Sequence, residues 1–165
     1  MVFSSIIFLL YFLPLVLAIN FILPGRLRNY WLLIASLFFY SWSAPQFLFV
    51  LVASILVNYF LVDKIHKSQN NVGRKSFLTF SVILNVGLLA YFKYFNFFLE
   101  NVNAVITQLG FGAISWLKIA LPIGISFFTF QSLTYSIDVY RKVHKPLKKW
   151  TDYTLYIMLF PQMIA

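Results

Sequence analysis

Hydrophobic residues occur along this chain in long uninterrupted runs, and charged residues fall in the short segments between them. Residues 4–22, 29–62, 77–92 and 119–137 contain no Asp, Glu, Lys or Arg. An apolar, uncharged stretch of about 18 residues or more is long enough to cross a bilayer as a helix. The pattern therefore predicts an all-α fold, a polytopic bundle of transmembrane helices.

Proline and glycine divide these runs into separate elements. Pro24 and Gly25 end the first run. The run 29–62 is too long for one span, since about 20 residues suffice, and Pro45 divides it. The short first piece is expected to be a short span or a re-entrant element. We predict one transmembrane region of five to six spans, with these approximate bounds: 5–23, 30–42, 46–62, 76–99, 119–140 and 151–165.

The basic residues are concentrated in every second loop. Of the 13 Lys and Arg residues, two lie in 24–29, four in 63–75 and five in 141–150. Basic loops of membrane proteins stay on the cytoplasmic side. If 30–42 and 46–62 both cross the membrane, these three loops are cytoplasmic and the N-terminus is extracytoplasmic.

Composition supports a membrane protein and excludes several kinds of site. The chain is 61% apolar and 10% charged, whereas soluble domains average roughly 45–50% and about 25%. The net charge of +9 resides in loops beside apolar spans, so anionic membrane lipid is the expected partner rather than nucleic acid. With no cysteine and no metal-ligand cluster, no metal site is predicted. His66 and His144 lie in basic loops and are interpreted as solvated side chains.

Polar residues on the fourth segment follow one side of the predicted helix. Ser81, Asn85, Lys93 and Asn96 fall within an arc of about 120°, and such a stripe normally faces protein or water. Lys93 lies roughly 9 Å from the predicted outer end. Its ammonium group either reaches the lipid headgroups or lines an outward-facing cavity for an anionic or hydroxyl-rich substrate.

The fifth segment carries two polar stripes. One contains Gln131, Thr134 and Asp138. The other consists of small hydroxyl residues, which let helices approach closely: Ser126, Thr129, Ser132 and Ser136. We therefore expect this helix to be buried in the bundle on two sides. Asp138 and Arg141 are expected either to form a local ion pair at the inner boundary or to take part in a cytoplasmic cofactor path.

Five segments of the chain share a pattern with a known family: MVFSSIIFLLYFLP, YWLLIASLFFYSW, LLAYFKYFNFF, LPIGISFFTFQSLTYSIDVYR and LFPQMIA. In order and spacing they resemble the N-terminal part of alginate O-acetyltransferases, which are bacterial members of the membrane-bound O-acyltransferase family. Each segment alone is mostly apolar and therefore weak, but the five together cover essentially the whole chain.

The resemblance implies a multi-pass protein of the bacterial cytoplasmic membrane that acetylates hydroxyls of an exported polysaccharide such as alginate. It implies a cytoplasmic acyl donor such as acetyl-CoA, a polysaccharide acceptor and periplasmic O-acetylation proteins as partners, with no bound cofactor. The family's catalytic histidine lies in a later helix. The chain is therefore expected to be a truncated, inactive part, with no catalytic residue of its own. The matching motifs contain six candidate cavity or buried polar residues: Lys93, Asn96, Gln131, Asp138, Tyr140 and Arg141.

Two alternatives remain open at the level of sequence. Lys93 and Asp138 would be intramembrane charges on a solute path in a small transporter or channel-like subunit. The chain would otherwise be a non-enzymatic partner in a membrane assembly.

Overall fold

The computed structural model describes residues 6–110, 112, 115 and 117–163, and every regular element within these residues is a helix. A π-helical segment, Phe8–Phe12, leads directly into the first α-helix. The α-helices in chain order are α1 (Leu13–Ile22), α2 (Gly25–Ser43), α3 (Pro45–Lys67), α4 (Asn71–Gln108), α5 (Ile125–Tyr140), α6 (Trp150–Met158) and α7 (Phe160–Met163). The predicted all-α class is confirmed. Residues 5, 164 and 165 of the predicted spans lie outside the described part.

Two of these helices, α3 and α4, are long and apolar enough to cross a membrane. The apolar stretch Phe8–Ile22 is shorter, and α5 and α6 have 16 and 9 residues. The predicted number of five to six spans therefore stays a prediction.

The first helical stretch adapts its backbone to Pro14. The Leu13 N–H donates to the Phe8 carbonyl five residues earlier, as in a π-helix. Pro14 has no N–H, and its ring would clash with the carbonyl of Leu10 in a regular α-helix. The wider π-helical turn just before Pro14 provides space at this point.

The helix break predicted near Pro45 is present. Ala44 has φ −151° and separates α2 from α3, and Pro45 occupies the first turn of α3, where its missing N–H costs little. Helix α2 has 19 residues, or about 28 Å, and so is longer than the predicted piece 30–42. It begins at Gly25, directly after the extended Pro24. The predicted piece was too short because hydropathy detects only the apolar part of a helix. Arg26 and Arg28 are good helix formers, and they extend α2 at its start.

Helix α4 also extends beyond the predicted segment 76–99. It has 38 residues, or about 57 Å. Its first turn is capped by Asn70, whose side chain accepts a hydrogen bond from the Val72 N–H at 3.0 Å. Asparagine is among the preferred residues at this position. The helix continues to Gln108 through exposed polar residues that hydropathy alone assigned to a loop.

The fifth and sixth segments are shorter than predicted. The segment 119–140 is helical only from Ile125, because Gly124 has a left-handed φ of 74° and interrupts the backbone. The segment 151–165 contains two helices, α6 and α7, separated at Leu159, whose ψ is 117°. The Phe160 N–H at this break donates to the Ser36 hydroxyl at 3.3 Å.

Apolar packing forms two clusters in the described residues. The larger joins α3, α5 and α6 around Leu51, Ile55, Val139 and Ile157. The smaller is mainly aromatic: the centre of the Phe160 ring lies within 6.1 Å of the ring centres of Phe8, Phe12 and Phe39. Helix α7 is thereby fixed against the N-terminal helices.

A buried polar layer connects α3, α4 and α5. It consists of Asn58, Ser81, Asn85 and Ser136, each at most 2% exposed. The two amides bond each other reciprocally at 2.7 and 3.2 Å, and Ser81 donates to Asn58 at 2.9 Å. The hydroxyls of Ser81 and Ser136 are 3.1 Å apart. The expectation that Ser81, Asn85 and the small hydroxyl residues of α5 face protein is confirmed for this layer.

The three basic loops lie at one end of the bundle. Asn29 donates to Asp152 at 3.1 Å, which joins the start of α2 to the start of α6. The Tyr59 hydroxyl donates to the Lys148 carbonyl at 2.9 Å, so the last turns of α3 contact the loop before α6. Arg74, in the first turn of α4, bonds the end of α5. Segments predicted to share one side of the membrane are therefore neighbours.

Candidate functional site

A cleft opens at this basic end, between the turn that joins α3 to α4 and the loop that joins α5 to α6. Its volume is about 600 Å³, within the range of small-ligand sites, about 300–1,000 Å³. We call it the basic cleft. Its lining residues are His66, Ser68, Gln69, Asn71, Arg74, Val139, Lys142, Val143, His144 and Lys145.

Arg74 connects the two walls of the basic cleft. Its guanidinium group donates to the Tyr140 carbonyl at the last residue of α5 and lies 5.1 Å from the centre of the Tyr140 ring. A cation at a helix C-terminus satisfies free carbonyls and opposes the negative end of the helix dipole. Arg74 therefore fixes the position of α4 relative to α5 at the base of the cleft.

Lys142 lies in the second wall with an unusual backbone conformation. Its φ is 62°, and no other non-glycine residue in the described part of the chain has a positive φ. The Lys142 N–H donates to Val139, and the Val143 N–H donates to Asp138, the pattern that usually ends a helix with glycine. Lysine at this position carries a steric cost that glycine would avoid.

Both histidines of the chain face the basic cleft. His66 lies in the last turn of α3, and His144 follows α5 in the opposite wall. His144 Nε2 is 3.9 Å from Asp138 Oδ2, and the centre of its ring lies 5.1 Å from that of Tyr135, with the two rings tilted to each other. Both histidines are exposed, in agreement with the solvated interpretation. That they line one cleft is new information from the structure.

The electrostatic character of the basic cleft is positive. Arg74, Lys142 and Lys145 contribute three permanent charges, and none of the described lining residues carries a carboxylate. The nearby acidic groups have other contacts, since Asp63 pairs with Lys67 at 2.8 Å and Asp138 approaches His144. The cleft can therefore attract an anion, but it contains no base paired with a nucleophile.

The predicted site residues on α4 are separated from this cleft. Lys93 is exposed, and its ammonium group lies 5.6 Å from the centre of the neighbouring Tyr94 ring. Asn96 holds the backbone of Ile119: its amide donates to the Ile119 carbonyl at 2.6 Å, and it accepts from the Ile119 N–H at 3.0 Å. The structure thus gives Asn96 a positioning contact to the segment before α5.

The predicted residues on α5 are distributed along the helix. Gln131 donates to the Tyr156 carbonyl at 2.8 Å and to Gln162 at 3.2 Å, so it connects α5 with α6 and α7. The Tyr140 carbonyl accepts a hydrogen bond from Arg74, as described above. Asp138 approaches His144, and within the described residues no ion pair joins it to Arg141, which is exposed. The expected local pair is therefore replaced by a contact across the turn.

Known proteins resemble the chain over its whole length. A probable alginate O-acetylase AlgI from Azotobacter vinelandii is 39% identical, and the matched part is 33% of that relative. A protein of the same description from Pseudomonas aeruginosa is 37% identical over 32% of its length. The peptidoglycan O-acetyltransferase of Helicobacter pylori is 34% identical over 36% of its length. The chain is thus similar over its whole length to proteins described as alginate O-acetylases and a peptidoglycan O-acetyltransferase.

These similarities confirm the predicted resemblance to alginate O-acetyltransferases. The chain spans about a third of the length of the curated relatives that it matches. No family model and no solved structure matches it. Two apolar helices of spanning length, together with O-acyltransferase relatives, indicate a membrane protein. The roles of the six predicted site residues stay predictions.

Sequence reasoning did not identify the basic cleft. The signal was present, because loops 63–75 and 141–150 are both rich in Lys and Arg and were assigned to the same side of the membrane. Ordinary positive-inside topology explains the same charges. Only the packing of α4 against α5 shows that these two loops enclose one space.

Proposed function

We propose that this chain forms part of a membrane O-acetyltransferase that acetylates hydroxyl groups of an exported polysaccharide. The observation that carries this proposal is the similarity over the entire chain to relatives described as alginate O-acetylase and peptidoglycan O-acetyltransferase. Alginate and peptidoglycan share the relevant chemistry, since both present sugar hydroxyls outside the cytoplasm. The proposed acceptor class is therefore a sugar hydroxyl of a cell-surface or secreted polymer.

The proposed donor is a cytoplasmic acetyl thioester such as acetyl-CoA. The acceptor hydroxyl oxygen would attack the thioester carbonyl, a general base would take its proton, and the C–S bond would break to release the thiol. Within the described residues we assign no catalytic group to this step. The proposed contribution of this chain is a packed helical wall that holds the reacting groups together and excludes water.

We place the protein in the bacterial cytoplasmic membrane, with its N-terminus outside and the basic loops inside. The charge distribution supports this orientation, and so does the contact of all three basic loops at one end of the bundle. Periplasmic O-acetylation proteins are the proposed partners on the opposite side.

A chimera tests the proposed activity. The matched third of the Azotobacter alginate O-acetylase is replaced by this chain, and the chimera is expressed in an alginate-producing strain that lacks its own O-acetylase. We expect O-acetyl esters to reappear on the secreted alginate, measured by hydroxylamine release. The remainder of the relative without this chain is the control and should give no esters. A chimera that inserts at normal levels and yields no esters contradicts the proposal.

The structure does not favour the transporter alternative. Lys93 lies beyond the buried polar layer on an exposed face of α4, and Asp138 lies at the basic end on α5. The basic cleft is lined by neither residue.

A further inference from the structure

We propose that the basic cleft is a binding site for a phosphate-bearing anion. The proposal concerns binding only and does not depend on the acetyltransferase activity. The ligand chemistry is a phosphate group, which belongs either to an anionic phospholipid headgroup or to a soluble phosphate compound. The cleft lies at the end of the bundle where both sources would be available.

The basic cleft carries an excess of unpaired positive charge. Lys142 and Lys145 line the cleft, and within the described residues neither forms an ion pair with a carboxylate. Asp63 is held by Lys67, and Asp138 faces His144. Lysine and arginine are the side chains that bind phosphate through charge-assisted hydrogen bonds. The lysine charges are therefore available to an anion from outside the chain.

The ends of two helices form part of the walls of the cleft. Helix α4 begins at Asn71, which lines the cleft, so the positive end of a long helix dipole faces this space. The opposing negative end of α5 is already satisfied, because its last carbonyls accept from Arg74, Lys142 and Val143. The C-terminal end of α3 also borders the cleft and opposes the dipole of α4, so the positive field comes mainly from the side chains, and the first turn of α4 contributes N–H groups.

Lys142 has an unfavourable backbone conformation. A lysine with φ 62° occupies the place where glycine normally ends a helix. Residues in unfavourable backbone regions occur preferentially at ligand sites, where the surrounding structure maintains them. Lys142 lines the same space as Lys145 and Arg74. Binding of an anionic ligand by the Lys142 charge would explain why lysine, and not glycine, occupies this position.

Polar groups without charge complete the site. Ser68, Gln69 and Asn71 line the cleft between His66 and Arg74. The amide groups of Gln69 and Asn71 can donate additional hydrogen bonds to phosphate oxygens, whereas the Ser68 hydroxyl already donates to the Asn70 carbonyl at 3.3 Å. The volume of about 600 Å³ accommodates a phosphate together with the group that carries it.

Paired lysine variants test the proposal. The protein is placed in nanodiscs of phosphatidylcholine and titrated with inorganic pyrophosphate by calorimetry. Lys142→Gln combined with Lys145→Gln removes two charges from the cleft. Lys148→Gln combined with Lys149→Gln removes two charges from the same loop outside it. We expect the cleft variant to weaken pyrophosphate binding about tenfold or more, and the control to change it less than about twofold.

A second arm identifies the source of the phosphate. Nanodiscs are assembled from equal amounts of phosphatidylglycerol and phosphatidylcholine, and the lipids retained by the protein are counted by native mass spectrometry. Retention of phosphatidylglycerol that disappears only in the cleft variant identifies a headgroup site. Cleft-dependent binding of pyrophosphate without such retention identifies a soluble ligand. Either result supports the proposal.

The proposal is overturned if neither probe binds, or if the cleft and control variants lose binding equally. Circular dichroism and thermal unfolding verify that each variant is folded. If the double cleft variant does not fold, Lys145→Gln alone replaces it, since Lys145 lies outside the hydrogen-bonded end of α5. Its expected effect is a several-fold loss of pyrophosphate affinity with unchanged helicity.

Discussion

At the scale of single residues, Lys142 shows most clearly that stability and binding can oppose each other. Its left-handed backbone is held by two hydrogen bonds that any residue could make through its N–H group and that of Val143. The side chain contributes nothing to these bonds and makes the conformation less favourable. A residue whose side chain disfavours its own backbone conformation indicates a requirement beyond folding.

Lys142→Gly should therefore stabilise the protein while weakening anion binding. Glycine adopts φ 62° without a Cβ clash, so we expect the free energy of unfolding to rise by about 1 kcal/mol. Pyrophosphate affinity should fall several-fold, because one charge leaves the cleft. Thermal unfolding and calorimetry measure the two effects.

Lys145→Gln is the matched comparison for Lys142→Gly. It removes the same charge at a position without a positive φ, so affinity should fall without a gain in stability. Loss of stability in Lys142→Gly would show that the lysine side chain supports the fold, contrary to this interpretation.

At the scale of elements, the buried polar layer fixes how α3, α4 and α5 pack. Van der Waals contacts between apolar helices specify their mutual position only weakly in lipid, and hydrogen bonds between helices add specificity. The reciprocal amide pair of Asn58 and Asn85 can form in only one alignment of α3 and α4. Ser136 extends the same layer to α5.

Asn85→Leu should destabilise the bundle by about 1–3 kcal/mol, because the new side chain leaves Asn58 with a buried amide short of partners. Asn101→Leu is the control on the same helix: Asn101 is exposed and bonds only the Phe97 carbonyl among the described contacts. We expect its effect to stay within about 0.5 kcal/mol. Thermal unfolding in one detergent measures both variants. Equal destabilisation would remove the special role of the layer.

The sequence predicted some of these elements well and others poorly, for physical reasons. The break near Pro45 and the inward stripe of Ser81 and Asn85 followed from backbone chemistry and helical periodicity. Lys93 of the same stripe is exposed, and its role stays a prediction, because periodicity gives a direction on the helix but does not identify the neighbour that lies there. Helix ends beyond the apolar run, as in α4, leave no signal in hydropathy.

The candidate site was harder to predict than the fold. His66 and His144 are 78 positions apart in the chain by their numbering, and no periodicity relates two loops. Their proximity depends on the contact of Arg74 with the end of α5. The left-handed Lys142 was equally hidden, since the sequence there has no glycine or asparagine to mark such a turn.

At the scale of the whole molecule, the two ends of the bundle differ in charge. The basic end contains the contacts among the three basic loops. The other end contains the contact of Asn96 with Ile119 and an exposed ion pair between Glu100 and Lys118 at 3.2 Å. Net positive charge is therefore concentrated at the end of the bundle where α4 begins.

Single cysteines test this orientation directly, because the chain has none of its own. Gln69→Cys lies at the basic end, and Asn101→Cys lies on the far part of α4. An impermeant maleimide should label Gln69→Cys only in inverted vesicles and Asn101→Cys only in intact spheroplasts. Permeabilised cells are the control for reactivity. Reversed labelling would invert the orientation, and labelling of both from one side would mean that α4 does not cross.

The length of α4 has a mechanical consequence. A helix of about 57 Å tilted by the average of roughly 20° still rises about 54 Å, whereas the hydrocarbon layer measures about 30 Å. Arg74 fixes its beginning at the basic end, so in a bilayer most of the surplus length would extend beyond the hydrocarbon layer on the opposite side. A bilayer of different thickness would therefore change how much of the far end of α4 extends beyond the lipid. The buried amide pair of Asn58 and Asn85 would keep its position between α3 and α4.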